Sequence, residues 1–150
     1  MFNKLFVHKV FKNKLLIQNK MDKTTILKAF NNQFEEFLDD VETIFPKNRD
    51  IKTTKTALLM MRKANPKMLV SIWYRYVCSK YEIEIENENL EYFLTKDYSE
   101  DLKMDQGAAN KVLEGIDKIR VPMRDLDTEN RGKCIQYLKN LNQLSKIYVN

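Results

Sequence analysis

Histidine occurs once in these 150 residues, at His8, while glycine and proline occur three times each and cysteine twice. Each scarcity excludes a class of chemistry. Beyond position 8 the chain has no imidazole to serve as base for a serine or cysteine nucleophile, and no histidine ligand for zinc. The three glycines fall in neither GxxxxGK[ST] nor GxGxxG spacing, so no phosphate-cradling loop of either kind is present. Cys78 and Cys134 sit inside apolar helical patterns without CxxC spacing, and read as reduced, buried thiols of an intracellular protein. No apolar run approaches the roughly 20 residues that crossing a bilayer requires, so no transmembrane span is expected. Nothing indicates a cofactor, and no catalytic residue is assigned.

What the chain does have is 43% hydrophobic and 31% charged residues, the balance of one globular domain. A chain of this length buries enough surface to fold without metal or disulfide. The formal net charge of +5 is unevenly placed. Residues 1–20, "MFNKLFVHKVFKNKLLIQNK", hold five lysines and no acid; the 26 bases less these five leave 21, against 21 acids, for residues 21–150. The body is neutral, and the basic balance belongs to an amphipathic N-terminal extension. Lysines opposite Phe2, Leu5, Phe6, Val10 and Phe11 suit peripheral contact with a membrane or a transit-like role. The preferred reading is an upstream extension that is not native, with Met21 the natural start of a helical domain over 21–150.

From Thr24 the apolar residues Ile26, Phe30, Phe34, Phe37, Val41 and Ile44 recur at steps of three or four, predicting a helix with Glu35, Glu36, Asp39, Asp40 and Glu42 on its wet side. Pro46 ends it. Asp50 is expected to cap a second helix with Ile51, Thr54, Ala57, Leu58 and Met61 inward, and Asn65-Pro66 to open a third. That third helix, over about 66–82, is apolar on more than one side and is expected at the centre of the bundle. Trp73 is read as core rather than as a platform for a ligand, its indole N–H requiring an acceptor. "YEIEIENENLEYF" has no second alternating stretch to pair with, so it is read as a helix end, a polar turn at Asn87–Asn89 and a short helix about Leu90–Leu94. A helix over Ala108–Val121, stopped or kinked by Pro122, and a last one capped by Asp127 or Thr128 complete an all-α, single compact bundle of five or six helices.

Two charged stretches are candidate sites. Asp97, Glu100 and Asp101 in "KDYSED" are the oxygen types that magnesium takes, though capped, solvated turns show the same residues, and no metal site is assigned. Between Asp50 and Glu82 lie Lys52, Lys55, Arg62, Lys63, Lys67, Arg75 and Lys80 without an acid, followed from Glu82 to Asp101 by eight acids and only Lys96. The first six bases are the candidate partner-binding residues, and all but Arg75 are expected to be mostly exposed. Such a block suits a phosphate backbone, or pairing with acids of the same chain or of a second copy; the neutral body favours the latter.

The phrases "FNNQFEEFLDDVETIFPKNRDIKTTKTALLMMRKANPKMLVSIWYRYV", "KDYSEDL", "IDKIRVPMRDL" and "YLKNLNQLSKIY" resemble, in the same order, a small all-helical protein family of nucleocytoplasmic large DNA viruses of the giant-virus and algal-virus type. The resemblance spans about residues 21–148 and leaves residues 1–20 outside. It implies a viral protein of the host cytoplasm, the virus factory or the virion, and it implies no activity. The expectation is a non-enzymatic virion or assembly component that binds a capsid or assembly protein or itself. A nucleic-acid-associated protein using residues 52–80 is the alternative, and a carboxylate-metal enzyme a remote third.

Overall fold

The computed structural model describes residues 22–97 and 107–150. The N-terminal extension and most of the "KDYSED" stretch, including Glu100 and Asp101, lie outside the described residues.

Asp22 opens α1 (Lys23–Ile44) by accepting the Thr25 amide at 2.8 Å, and this bond holds its carboxyl below the usual carboxylate range. Its apolar residues fall at helical spacing, so Ile26, Phe30, Phe34, Phe37 and Val41 are all buried along one stripe. The acidic side is not uniformly wet, however: Asp40 is buried and accepts the Tyr137 hydroxyl at 2.5 Å. The turn at Pro46 leads into α2 (Arg49–Ala64), capped by Asn48, which accepts the Ile51 amide at 3.0 Å. Asp50, the expected cap, instead occupies the first turn, where a carboxylate favours the positive end of the helix. Ile51, Thr54 and Leu58 face inward, whereas Ala57 faces solvent.

The central helix α3 begins at Met68, two residues later than the proline suggested. Asn65 still accepts the Lys67 amide at 3.2 Å, so the asparagine closes the turn before the helix rather than its first residue. α3 continues past position 82 in three pieces: α-helical Met68–Trp73, a π-helical turn Tyr74–Cys78 and α-helical Ser79–Glu86. Trp73, Val77, Tyr81 and Ile85 are spaced by four and all buried. Each step of four overshoots an α-helical turn by roughly 40°, and one wider turn takes up part of that drift, keeping the row inside.

After the turn at residues 87–89 come α4 (Leu90–Thr95), α5 (Ala108–Met123) and α6 (Thr128–Val149), the last capped by Asp127 on the Asn130 amide at 2.8 Å. Pro122 lies within the final turn of α5 and does not stop it before Met123. Six helices and no strand thus make an all-α bundle among the described residues. None of these helices is long and apolar enough to cross a membrane.

α1 and α6 form the broadest helix pair and run antiparallel, with Asp40 against Tyr137 and the Lys23 ammonium 5.5 Å from the Tyr148 ring. α3 crosses both. Trp73 packs edge-on against Phe34, with ring centres 6.0 Å apart, and donates its indole N–H to Asn142 Oδ1 at 2.8 Å. α5 lies on α2, where Gly115 permits the approach: a methyl group there would stand 3.1 Å from Thr54 Cγ2. Arg120, buried on α5, donates to the Phe93 carbonyl at 2.6 Å and to Asp117, while Arg124 reaches the Leu94 carbonyl at 3.2 Å. The last carbonyls of short α4 are thereby held by guanidinium groups.

Candidate interaction groove

The six candidate bases do not form one surface, because helical phase divides them. Lys55 points from α2 back to α1, with its ammonium 2.5 Å from Asp39 and 2.9 Å from Glu42. Burial works against its charge, but the bonds it donates to these carboxylates prevail and its pKa lies above the ordinary lysine value. Arg62, two turns on, pairs with Glu35 at 2.8 Å and donates to the Asn31 carbonyl at 3.2 Å. Both are half-buried, which corrects the expectation that they stand free in solvent. Lys52, Lys63 and Lys67 are exposed and make no ion pair among the described residues. Arg75 is exposed on α3, its guanidinium 5.3 Å from the Tyr76 ring.

Where α1, α2 and the Asn65-Pro66 turn meet, an open groove of about 530 Å³ is lined by Asn31, Thr56, Leu59, Met60, Arg62, Lys63 and Pro66. Its composition is mixed in a specific way. Leu59, Met60 and Pro66 supply apolar surface, with Met60 68% exposed although it lies mid-helix. Lys63, one turn beyond Met60, supplies on the same face a positive charge without an ion pair among the described residues. Asn31 on α1 is only 8% exposed; its Nδ2 donates to the Pro66 carbonyl at 3.0 Å, and its Oδ1, enclosed away from solvent, has no hydrogen-bond partner among the described residues.

Compared with known protein families, with curated proteins and with solved structures, the chain matches none.

Of the six candidates, then, the structure brings Arg62 and Lys63 to the groove, leaves Lys52 and Lys67 exposed elsewhere, ties Lys55 to α1 and places Arg75 on α3. Asn31, Leu59 and Met60 were not singled out in the sequence. Met60 carried a faint signal, being an apolar residue out of phase with Ile51, Thr54 and Leu58; Asn31 carried none, because nothing local distinguishes it from Asn32.

Among the described residues no three His, Cys, Asp or Glu side chains gather where they could hold a metal ion. Both thiols are free and buried; burial pushes Cys78 up to about 11 and Cys134 up as well, so neither is a thiolate near neutrality.

Proposed function

We propose that this chain is a non-enzymatic interaction protein that receives an acidic, partly apolar segment of a protein partner in the groove between α1 and α2. The observation that carries the reading is exposed Met60 one helical turn from exposed Lys63, which makes no ion pair among the described residues, in the lining of an open groove. An apolar side chain and a carboxylate one turn apart on one segment would meet both. Phosphate binding relies on a run of free cations, and here two of the six bases are already engaged by carboxylates of α1. The resemblance of the sequence supports a virion or assembly component of a nucleocytoplasmic large DNA virus, acting in the host cytoplasm, the virus factory or the virion.

Fluorescence anisotropy with two probes tests the binding mode: a labelled random duplex of about 20 base pairs, and a labelled peptide with leucine and glutamate one turn apart. At 0.15 M salt, as an order-of-magnitude choice, the peptide should bind more tightly and lose affinity only gradually with added salt, since its apolar contact is not screened. Tighter binding of the duplex, with a steep salt slope, would overturn the reading in favour of nucleic acid. Mass spectrometry of purified virions tests the viral assignment: the chain should appear in fixed ratio to the capsid protein, and its absence would count against a virion component.

A further inference from the structure

Ile83 and Met60 are the most exposed large hydrophobic residues described, at 74% and 68%. Each lies inside a helix, Met60 in α2 and Ile83 in the last arm of α3. Each is followed three residues on by an exposed charge that makes no ion pair among the described residues, Lys63 after Met60 and Glu86 after Ile83. Residues three apart share a helix face, so the molecule displays two similar patches, apolar knob plus charge, of opposite sign.

Resting on the reading of the groove given above, we infer that its occupant is a second copy of this chain, whose Ile83 and Glu86 dock on Met60 and Lys63. With the two helices running in the same direction across the contact, isoleucine meets methionine and carboxylate meets ammonium together. Around Glu86 stand Glu82 and Glu84 on the arm and Glu88 in the turn that follows it. Glu82 is tied to Lys146, Glu88 to Lys139 at 3.3 Å, and Glu84 accepts from Asn89 at 3.0 Å; Glu86 makes no ion pair among the described residues, although its charge is felt by Lys146. The charge of one patch is opposite in sign to that of the other and the two patches are alike in spacing, so one kind of molecule carries both halves of the contact. Since the two patches differ, the contact either closes reciprocally in a pair or repeats head to tail.

Sedimentation velocity of the full chain tests this over roughly 5 to 500 µM, the range in which a single small contact dissociates. The weight-average sedimentation coefficient should rise with concentration at low salt, and the midpoint should move up about tenfold on going to about 0.5 M salt. Lys63→Glu and Glu86→Lys should each abolish association, and an equimolar mixture of the two variants should associate again, because wild-type patches meet each other and reversed patches meet each other. Circular dichroism of both variants checks that the exposed substitutions leave the helices formed, and Ile83→Ser provides an uncharged second disruption. A chain monomeric throughout, association that survives both reversals, or a mixture that stays monomeric would overturn the inference. If the chain is monomeric but still binds the leucine-glutamate peptide in a manner sensitive to Lys63→Glu, self-docking fails and the groove reading stands; if neither occurs, both fail.

Discussion

Asn142 occupies an unusual position for a polar residue: buried in α6, its Oδ1 takes the Trp73 indole N–H while its backbone carbonyl takes the Ser145 hydroxyl at 2.8 Å. The aromatic centre is therefore oriented by a hydrogen bond as well as filled by volume. Trp73→Ala should cost about 3–5 kcal/mol, and Trp73→Phe about 1–3 kcal/mol because Asn142 loses its donor. Urea unfolding measures both, and native emission should be blue-shifted and resistant to iodide. Tyr137→Phe should cost about 1–3 kcal/mol by removing the hydroxyl that faces buried Asp40. At this scale Trp73 was legible in the sequence, since its neighbours are apolar all round. Asp40 was not: only the tertiary approach of Tyr137 on α6 separates it from Asp39.

Helices were legible where their apolar period was long, as in α1 and α6, and less so where ends are decided by hydrogen bonds. Asn48 rather than Asp50 caps α2, and the π-helical turn in α3 has no signature in a period that reads as continuous helix. The two helical glycines separate packing from propensity. Gly132 on α6 is exposed and a Cβ there would touch nothing, so Gly132→Ala should stabilise the protein by about 0.5–1 kcal/mol. At Gly115 the added methyl meets Thr54, and Gly115→Val should destabilise by about 1–3 kcal/mol as α2 is pushed away. Thermal melts of the two variants should shift in opposite directions.

At the scale of the molecule, several ion pairs among the described residues join one element to another. Lys55 and Arg62 join α2 to α1, and Lys146 joins α6 to Glu82 of α3. The hydrogen bond that Lys146 donates to Glu82 holds its ammonium above the usual lysine range, as the two carboxylates beside Lys55 do for that ammonium. Groups whose pKa is raised on folding contribute stability that is complete below their unfolded values and is lost as pH rises through the folded ones. The buried thiols begin this loss above about pH 8.5, and the lysines extend it above about pH 10.4. The melting temperature should therefore be level near neutrality and fall progressively in alkali, a profile that calorimetry would give directly.

The candidate surface was legible as a block of bases but not as a groove. Composition counts six cations between positions 52 and 75 alike, and only the phase of α2 against α1 decides that two are tied down and one stands beside Met60. Lys63→Glu with Lys67→Glu should leave the fold within about 1 kcal/mol, as exposed substitutions do, while removing partner binding.

The most direct measurement is an amide-resolved NMR titration of the full chain with the leucine-glutamate peptide. Shifts concentrated at Asn31, at residues 56–65 and at Lys67 are the predicted result. Absence of shifts at saturating peptide, or shifts confined to the faces of α5 and α6, would contradict the groove as the site of interaction.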